Sequence, residues 1–284
     1  MGRVRRGPGP LLLLPALAVV ALVAAVPVGL LVRTALFAPG AFAELSGETS
    51  LASFAALFEG PFPAVARRTV RLALLTTAAT VVLGYPVAVL LSRARGGWRS
   101  FQTLLVVSPL LMSTVVRAYG WTLVLGSQGV LGGFLENLGL PRAGLLHTEA
   151  AVLLALTESF LPFMILALAA SLDRIEPAVI EAARSLGASP GQTFLRVALP
   201  LSVPGLVAGG SFVFVGSLSA YATPALLGGS EVRTWVREIQ ELVMIRFDWP
   251  TAAAASLALL LVAALLLALG AALSHRRSAR AFGQ

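Results

Sequence analysis

The sequence predicts an all-α integral membrane protein, a bundle of six transmembrane helices. Its 284 residues are 57% hydrophobic and only 12% charged, and the mean hydropathy is +0.88. A helix that crosses the ~30 Å hydrocarbon core of a membrane needs roughly 20 mostly apolar residues. The blocks that reach this length are Leu11–Phe37, Thr69–Leu91, Phe101–Leu125, Ala150–Leu172, Leu201–Leu227 and Thr251–Leu273. Because none of them alternates apolar with polar residues, a β-barrel is excluded.

The first block follows Arg3, Arg5 and Arg6, an order that also occurs in secretory signal peptides. Its apolar run extends from Leu11 to Val32, which is longer than the about 7–15 residues of a typical signal core. Further apolar blocks follow it along the chain. We therefore expect a retained first span.

The distribution of arginine over the connections predicts the orientation of the spans. The termini and the connections on their side carry twelve arginines, against eight on the opposite side. Cytoplasmic connections are enriched in basic residues, so the termini are predicted to be cytoplasmic. Arginines that flank spans also account for the net charge of +8 without a nucleic-acid partner.

The sequence predicts three regions along the chain. Residues 1–65 hold the first transmembrane helix and an outer loop, residues 66–273 hold the other five helices, and residues 274–284 form a short basic cytoplasmic tail. There is no cysteine, which excludes disulfides and thiolate metal sites. There is also no lysine, which a P-loop requires. No cofactor is therefore expected in this chain, and any ATP and Mg²⁺ must bind a partner subunit.

The cytoplasmic connection 173–200 is predicted to form two short helices joined by a tight turn. Pro177 suits the first position of a helix, and Gly187 stands where a helix end favours a left-handed residue. Ser189 and Gln192 have the spacing of a capping box at the start of a second helix. Pro200 then marks the transition into the fifth span.

This connection resembles the EAA loop of binding-protein-dependent ABC importer permeases. That pattern is Glu-Ala-Ala, three residues, Gly, nine residues, an aliphatic residue, one residue, and Leu-Pro. In this chain it is met by Glu181, Ala182, Ala183, Gly187, Val197, Leu199 and Pro200. The resemblance implies that these residues, Val197 apart, couple the membrane helices to an ATP-binding subunit. An ordinary amphipathic surface loop is the alternative interpretation.

The resemblance extends from about residue 67 to residue 273 and is to spermidine/putrescine-type permeases, most of all to the first of the two permease subunits of such importers. The shared stretches are Arg71–Thr77, Leu83–Pro86, Val116–Trp121, Leu161–Met164 and Thr223–Gly229. It implies the fold of a type I ABC importer permease in a bacterial plasma membrane. The implied partners are membrane lipid, a second permease subunit, two copies of an ATP-binding subunit, and an extracytoplasmic solute-binding protein. The chain departs from many polyamine-type members at residues 219–221, where they carry an acidic residue.

Arg117 in the third apolar block and Glu158 in the fourth are ionisable residues within or near the ends of predicted spans. Charged groups within spans are rare and are usually paired or functional. One hypothesis is that Glu158 and nearby aromatic residues line a path for a cationic solute through charge and cation–π contacts. The other is that Arg117 and Glu158 form a structural pair. The candidates for the path are Arg117, Tyr119, Trp121, Glu158, Ser217, Ser219, Tyr221 and Thr223.

Two further patterns concern helix packing. Gly205 and Gly209 have the spacing that allows close approach of two helices in a membrane. The segment Val232–Phe247 is amphipathic, with Trp235 and Leu242 assigned to its apolar face and Glu238 elsewhere. We expect it to lie at the membrane interface, or to serve as a gate or docking surface.

Three classes of function fit such a chain, and the EAA pattern favours an importer permease for a small solute, of polyamine type, delivered by an external binding protein. The same class could carry an anion, a metal ion or another small organic solute. A secondary transporter would show internal repeats, and none is visible. A membrane enzyme would need a constellation of catalytic groups, whereas Glu158 is the one acid inside the blocks. No catalytic residue and no metal site is therefore predicted.

Overall fold

The structure, a computed structural model, describes residues 9–40, 49–137 and 144–282. Arg3, Arg5, Arg6 and Arg142, which enter the orientation count, lie outside these ranges, and so do the side chains of the predicted basic tail. Within the ranges the chain is helical apart from connecting turns and one isolated backbone pairing, between Phe37 and Thr49. The predicted all-α class is confirmed.

The helices follow one another with short connections. In chain order they are α1 (Gly9–Ala35), α2 (Ala52–Ala55), α3 (Phe62–Arg93), α4 (Gly96–Val107), α5 (Thr114–Leu125), α6 (Val130–Asn137), α7 (Glu149–Leu172), α8 (Pro177–Ser185), α9 (Pro190–Thr193), α10 (Leu199–Leu201), α11 (Val203–Leu218), α12 (Ala222–Leu227), α13 (Trp235–Met244) and α14 (Trp249–Phe282). Tighter 3₁₀ turns follow α2 and α4, and a wider π-helical turn, Phe194–Ala198, joins α9 to α10.

Four helices, α1, α3, α7 and α14, are each long and apolar enough to cross a membrane. The remaining two predicted spans are bent pairs. Gly96–Leu111 and Thr114–Gly133 meet at 94°, and Pro190–Leu201 and Val203–Leu218 meet at 65°. Counting each bent pair as one span gives the six spans that the sequence predicts.

The third and fifth apolar blocks therefore do not form the single helices that the sequence predicts. In the third, Pro109 lies in a 3₁₀ turn that ends at Met112, whose ψ of 139° is extended. In the fifth, the helix changes direction at Ser202, two residues before Pro204. Proline has no backbone N–H and therefore removes one hydrogen bond from a helix. Each break lies within three residues of a proline, Pro109 or Pro204, and we attribute it to that lost bond.

The chain divides into two compact units, Met1–Pro63 with Glu238–Leu261, and Ala64–Arg237 with Val262–Gln284. In the first unit, Ala35, Ala253 and Ala254 are buried, with Phe54 packed against them. Asp248 begins α14 there, because its Oδ1 accepts hydrogen bonds from the backbone N–H of Gly40 at 3.1 Å and of Thr251 at 3.2 Å.

The second unit is built around α7, along which α11 packs. A Cβ placed on Gly205 would lie 2.6 Å from the carbonyl oxygen of Ala167 and also against Ser171, both on α7. One on Gly209 would lie 3.0 Å from the Met164 sulfur. Real Cβ atoms do not come as close as 2.6 Å, so at Gly205 only glycine permits this helix separation, and at Gly209 an added Cβ would force its neighbours to shift. The predicted close packing of the fifth span is confirmed.

Helix α13 is amphipathic as predicted, with Trp235 and Leu242 buried. The assignment of Glu238 outside the apolar face is wrong, because its residue exposure is 2%. Positions 235, 238 and 242 are three and four apart and share one helix face. The carboxylate of Glu238 lies 3.6 Å from the guanidinium of Arg246. The hydrogen bond that Arg246 donates to the carboxylate of Glu241 raises the pKa of Arg246, so this exposed arginine keeps its charge.

Candidate functional site

A cavity of about 440 Å³ opens where the break of the third span meets α7 and the end of α11. Its wall combines the aromatic side chains of Phe160, Phe163 and Tyr221 with the hydroxyl groups of Thr114 and Ser159. The remaining lining residues are Leu110, Met112, Arg117, Leu156, Gly216, Ala220, Ala222 and Thr223. Among the described residues on this wall, Arg117 alone carries a charge.

The guanidinium of Arg117 lies beside the carboxylate of Glu158, with 3.7 Å between Nη1 and Oε1. The Arg117 side chain is 13% exposed and that of Glu158 is 32% exposed. Glu158 Oε2 also accepts a long hydrogen bond, 3.5 Å, from the indole N–H of Trp121. The buried Nε and Nη1 atoms of Arg117 find no hydrogen-bond acceptor within the described residues. The charges are close, but the pair is poorly hydrogen-bonded.

The structure brings together most of the predicted path residues. Arg117, Trp121 and Glu158 form one cluster, and Tyr221 and Thr223 lie on the cavity wall with Arg117.

The other three lie elsewhere. Ser217 is buried, and its hydroxyl has no hydrogen-bond partner in the part of the chain that is described. Ser219 follows the last residue of α11, and its hydroxyl donates to the carbonyl oxygen of Val215 in that helix at 2.9 Å. Tyr119 is 63% exposed and does not line the cavity.

Sequence reasoning missed several wall residues, chiefly Thr114, Ser159, Phe160 and Phe163. On α7, Leu156, Ser159, Phe160 and Phe163 recur at three and four residues, so they share one helix face. That spacing was visible in the sequence, but apolar spacing in a span equally describes a face that contacts lipid. Thr114 reaches the wall because α5 begins there, after the break at Met112.

The segment from α8 to α9, residues 177–193, forms the predicted helical hairpin. Gly187 has φ +85°, the left-handed conformation expected for it. Its N–H donates to the carbonyl of Arg184 at 2.9 Å, and the N–H of Ala188 donates to the carbonyl of Ala183 at 3.1 Å. These two bonds satisfy carbonyl groups that the end of α8 leaves open. The capping box of Ser189 and Gln192 is present as predicted.

The tip of this α8–α9 hairpin is exposed and its base is anchored. Leu186 is 90% exposed at the tip, and Glu181 and Ala182 are exposed along α8. At the base, the ring of Phe194 meets that of Tyr85 edge-on at 5.1 Å. The Tyr85 hydroxyl is 2.6 Å from that of Ser202. The hairpin is therefore fixed to α3 and to the start of α11.

Two other charged groups stand apart from the cavity. Asp173, at the end of α7, pairs with Arg99 of α4. Glu149, at the start of α7, pairs with Arg68 at 3.0 Å and with Arg71. No group of three or more His, Asp or Glu residues in the described ranges could hold a metal ion.

Comparison with known proteins gives a consistent result. Residues 51–279 match the family described as binding-protein-dependent transport system inner membrane component. The spermidine/putrescine transport system permease protein PotB of Haemophilus influenzae is 32% identical over 220 residues, 77% of each chain. The molybdenum transport system permease protein ModB of Mycobacterium bovis is 33% identical over 201 residues, 71% of this chain and 75% of that one.

A solved structure shares the fold. It is that of a bacterial alginate ABC transporter in complex with an alginate pentasaccharide-bound periplasmic protein. One of its chains superposes with a TM-score of 0.77 at 20% identity, over 97% of this chain and 98% of that chain.

Proposed function

This chain belongs to the family of binding-protein-dependent transport system inner membrane components, and from that premise we propose that it forms part of the membrane path of an ATP-driven importer of polyamine type. It is a multi-pass transport subunit. The observation that carries the proposal is the α8–α9 hairpin, which lies inside the matched region and presents Glu181, Ala182, Ala183 and Gly187 of the EAA pattern; Leu199 and Pro200 follow in α10.

The hairpin is the proposed contact with an ATP-binding subunit. The small side chains of Ala182 and Ala183 allow a partner surface to approach α8 closely, and the exposed Leu186 offers an apolar group to a groove. Because the base of the hairpin is fixed to α3 and α11, a rigid-body shift of its tip is transmitted to both helices. Rigid-body motion of this kind is how domains open and close around a site.

The partners and the orientation follow from this contact. ATP and Mg²⁺ bind two copies of the ATP-binding subunit, since this chain has no lysine for a P-loop. ATP is cytoplasmic, so the hairpin and both termini are cytoplasmic, in agreement with the arginine count. A second permease subunit completes the path in the bacterial plasma membrane, and an extracytoplasmic binding protein delivers the solute, as in the alginate complex.

The proposed solute is a small organic cation such as a polyamine. The PotB relatives carry that substrate class in their names and are 32% identical over 77% of this chain. The cavity offers aromatic faces from Phe160, Phe163 and Tyr221, which attract cations. Glu158 lies 3.7 Å from Arg117, which is on this wall.

A small anion is the second candidate, and one observation favours it. Arg117 is the charged group on the described cavity wall, and two of its nitrogens lack acceptors there. An anion entering the cavity would meet a guanidinium with free donors. The ModB relative, named for molybdenum transport, is 33% identical over 71% of this chain.

The test is uptake by the reconstituted complex. The chain is placed in proteoliposomes with its second permease, ATP-binding subunit and binding protein, and uptake of labelled putrescine and of a molybdenum oxyanion is measured. We expect putrescine uptake that disappears when ATP, the binding protein or this chain is omitted. ATP-dependent uptake of the oxyanion alone would favour the second candidate, and uptake that does not need ATP would reject the importer.

A further inference from the structure

The charged group on the described cavity wall is the cationic side chain of Arg117, whereas a binding site for a cationic solute requires an anionic group. Arg117 lines the cavity, whereas Glu158 is not among the described residues on its wall. The Glu158 side chain is 32% exposed, and its carboxylate lies beside the guanidinium, 3.7 Å from Nη1. In this state a solute ammonium and Arg117 would compete for the same carboxylate.

Arg117 binds the carboxylate of Glu158 only weakly. A buried arginine pairs best through two parallel hydrogen bonds of about 2.7–2.9 Å, and a guanidinium has five N–H groups to satisfy. Here the approach is 3.7 Å, and the buried Nε and Nη1 have no acceptor among the described residues. The pair compensates the two charges, yet it forgoes most of the hydrogen-bond energy that would make it permanent.

The two partners are held differently. Glu158 lies within the 24-residue helix α7, which is packed against α11 through Gly205 and Gly209. Trp121 also donates to Glu158 Oε2 at 3.5 Å, so the carboxylate keeps one donor without the arginine. Arg117 lies in the first turn of α5, directly after the 94° break. Because Glu158 keeps the contact with Trp121 when Arg117 is displaced, we take Arg117 as the partner that moves in the exchange.

We propose that Arg117 is a tethered stand-in for the solute: it neutralises Glu158 while the cavity is empty, and the ammonium group of the entering cation replaces it. This deepens the proposed function and rests on its cationic solute. The carboxylate is compensated before and after the exchange, and the displaced guanidinium must turn toward solvent, because an unpaired charge left inside the protein would be costly. Phe160, Phe163 and Tyr221 then face the rest of the cation.

The exchange also makes the cavity selective for polyamines over small monovalent cations. A small monovalent cation gains a carboxylate but must displace a guanidinium that is covalently held beside it. A polyamine brings a second charge and an apolar chain, and the aromatic wall stabilises both. Arg117 is therefore a specificity-determining residue that keeps the empty path closed to ordinary cations.

The experiment uses the complete importer in proteoliposomes, with R117Q, E158Q and the double variant, and two readouts. The first is ATP-dependent putrescine uptake, and the second is ATP-independent leak of methylammonium. We expect R117Q to raise the leak about tenfold, the scale of one charged hydrogen bond. We expect E158Q to lower putrescine uptake at least about tenfold. In the double variant the leak should return to the wild-type value, because it requires a free Glu158.

Controls separate this exchange from a structural pair. R95Q removes an exposed arginine that does not line the cavity, and it should leave leak and uptake unchanged. If R117Q does not assemble, R117M keeps the bulk of the side-chain stem and carries the same prediction. A structural pair predicts less assembled complex in each single variant, recovery in the double variant, and no leak in any of them. That pattern overturns the proposal.

The outcomes also separate this proposal from the proposed function. Putrescine uptake by the wild type, with no rise in leak in an assembled R117Q or R117M complex, overturns the exchange and leaves the polyamine importer standing. A leak that persists in the double variant does the same, because it does not depend on Glu158. If the wild type carries the oxyanion and not putrescine, the cationic solute itself is wrong, and R117Q should then abolish uptake while E158Q retains it.

Discussion

The α8–α9 hairpin and the contact between α7 and α11 are ordered by opposite means. The hairpin is held by bonds between residues at most five apart in the chain, at Gly187 and in the capping box of Ser189. The α7–α11 contact joins residues about 40 apart in the chain, and it depends on the absence of a side chain at Gly205 and at Gly209. One region keeps its shape while remaining exposed, and the other does so only by burial.

This difference in how the two regions are ordered indicates what each of them does. A segment that is ordered without being buried can bind a partner through its exposed surface. In the hairpin, Leu186 is 90% exposed. A contact that tolerates no added methyl group fixes the helices that carry Glu158 and the cavity wall. Changes in the first region should alter coupling, and changes in the second should alter folding.

The largest effect is expected at Gly205, where a substitution tests whether the α7–α11 contact depends on the missing side chain. G205A places a Cβ 2.6 Å from the Ala167 carbonyl oxygen and against Ser171, so α11 must move away from α7. Overpacking of this kind costs about 1–3 kcal/mol. The matched control is G210A on the same helix, whose Cβ would meet only Thr77 at 3.7 Å.

Thermal unfolding of the detergent-purified chain measures this difference. We expect a lower Tm and less folded protein for G205A than for G210A. Equal stability of the two variants would show that α11 is not held by the close approach at Gly205.

A smaller effect is expected at Gly187, where a substitution tests whether the hairpin turn affects coupling and not folding. G187A places a side chain at φ +85°, which costs roughly 1 kcal/mol, and the hairpin should open at its turn. G191A is the control, because both positions have open space around a Cβ but only Gly187 has a positive φ. Pull-down of the ATP-binding subunit and ATP-dependent uptake are measured. Both should fall in G187A alone, with the Tm of the chain unchanged; a fall in Tm instead would place the hairpin in the folding core.

The smallest effect is expected at Leu186. Because this side chain is 90% exposed, L186S removes no packing within the chain and should change its unfolding free energy by less than about 0.5 kcal/mol. It should nevertheless weaken retention of the ATP-binding subunit severalfold, since an apolar group is lost from the contact. Co-purification over a range of detergent washes measures this. Unchanged retention together with lowered stability would reverse the assignment of this residue.

The part of the fold that sequence predicts is the part set by neighbouring residues. The apolar blocks, the turn at Gly187 and the capping box of Ser189 each depend on residues within one segment. The structure contains the turn and the capping box, and it contains the six blocks as four single helices and two bent pairs. The glycine spacing at 205 and 209 predicts close packing but not the partner helix.

The cavity could not be predicted in the same way. Its wall depends on the 94° break after Pro109, and proline in a span is also compatible with a mild kink. Phe160 and Phe163 look like ordinary residues of an apolar helix until α11 and α12 are placed beside them. The burial of Glu238 was missed for a related reason, because helix spacing assigns a face and only the fold decides what covers it.

The break in the third span also has a consequence for how this chain enters a membrane during synthesis. Gly96–Leu111 extends only about 24 Å at 1.5 Å per residue, less than the ~30 Å of hydrocarbon. The two pieces meet at 94°, so they do not cross as one straight helix. The Met112 N–H and the Ser113 carbonyl are hydrogen-bonded within the segment, to Pro109 and Arg117, but lipid offers no partner to a backbone group at the break that lacks such a bond. We therefore expect this segment to settle in the membrane only once α7, made later, can pack against it.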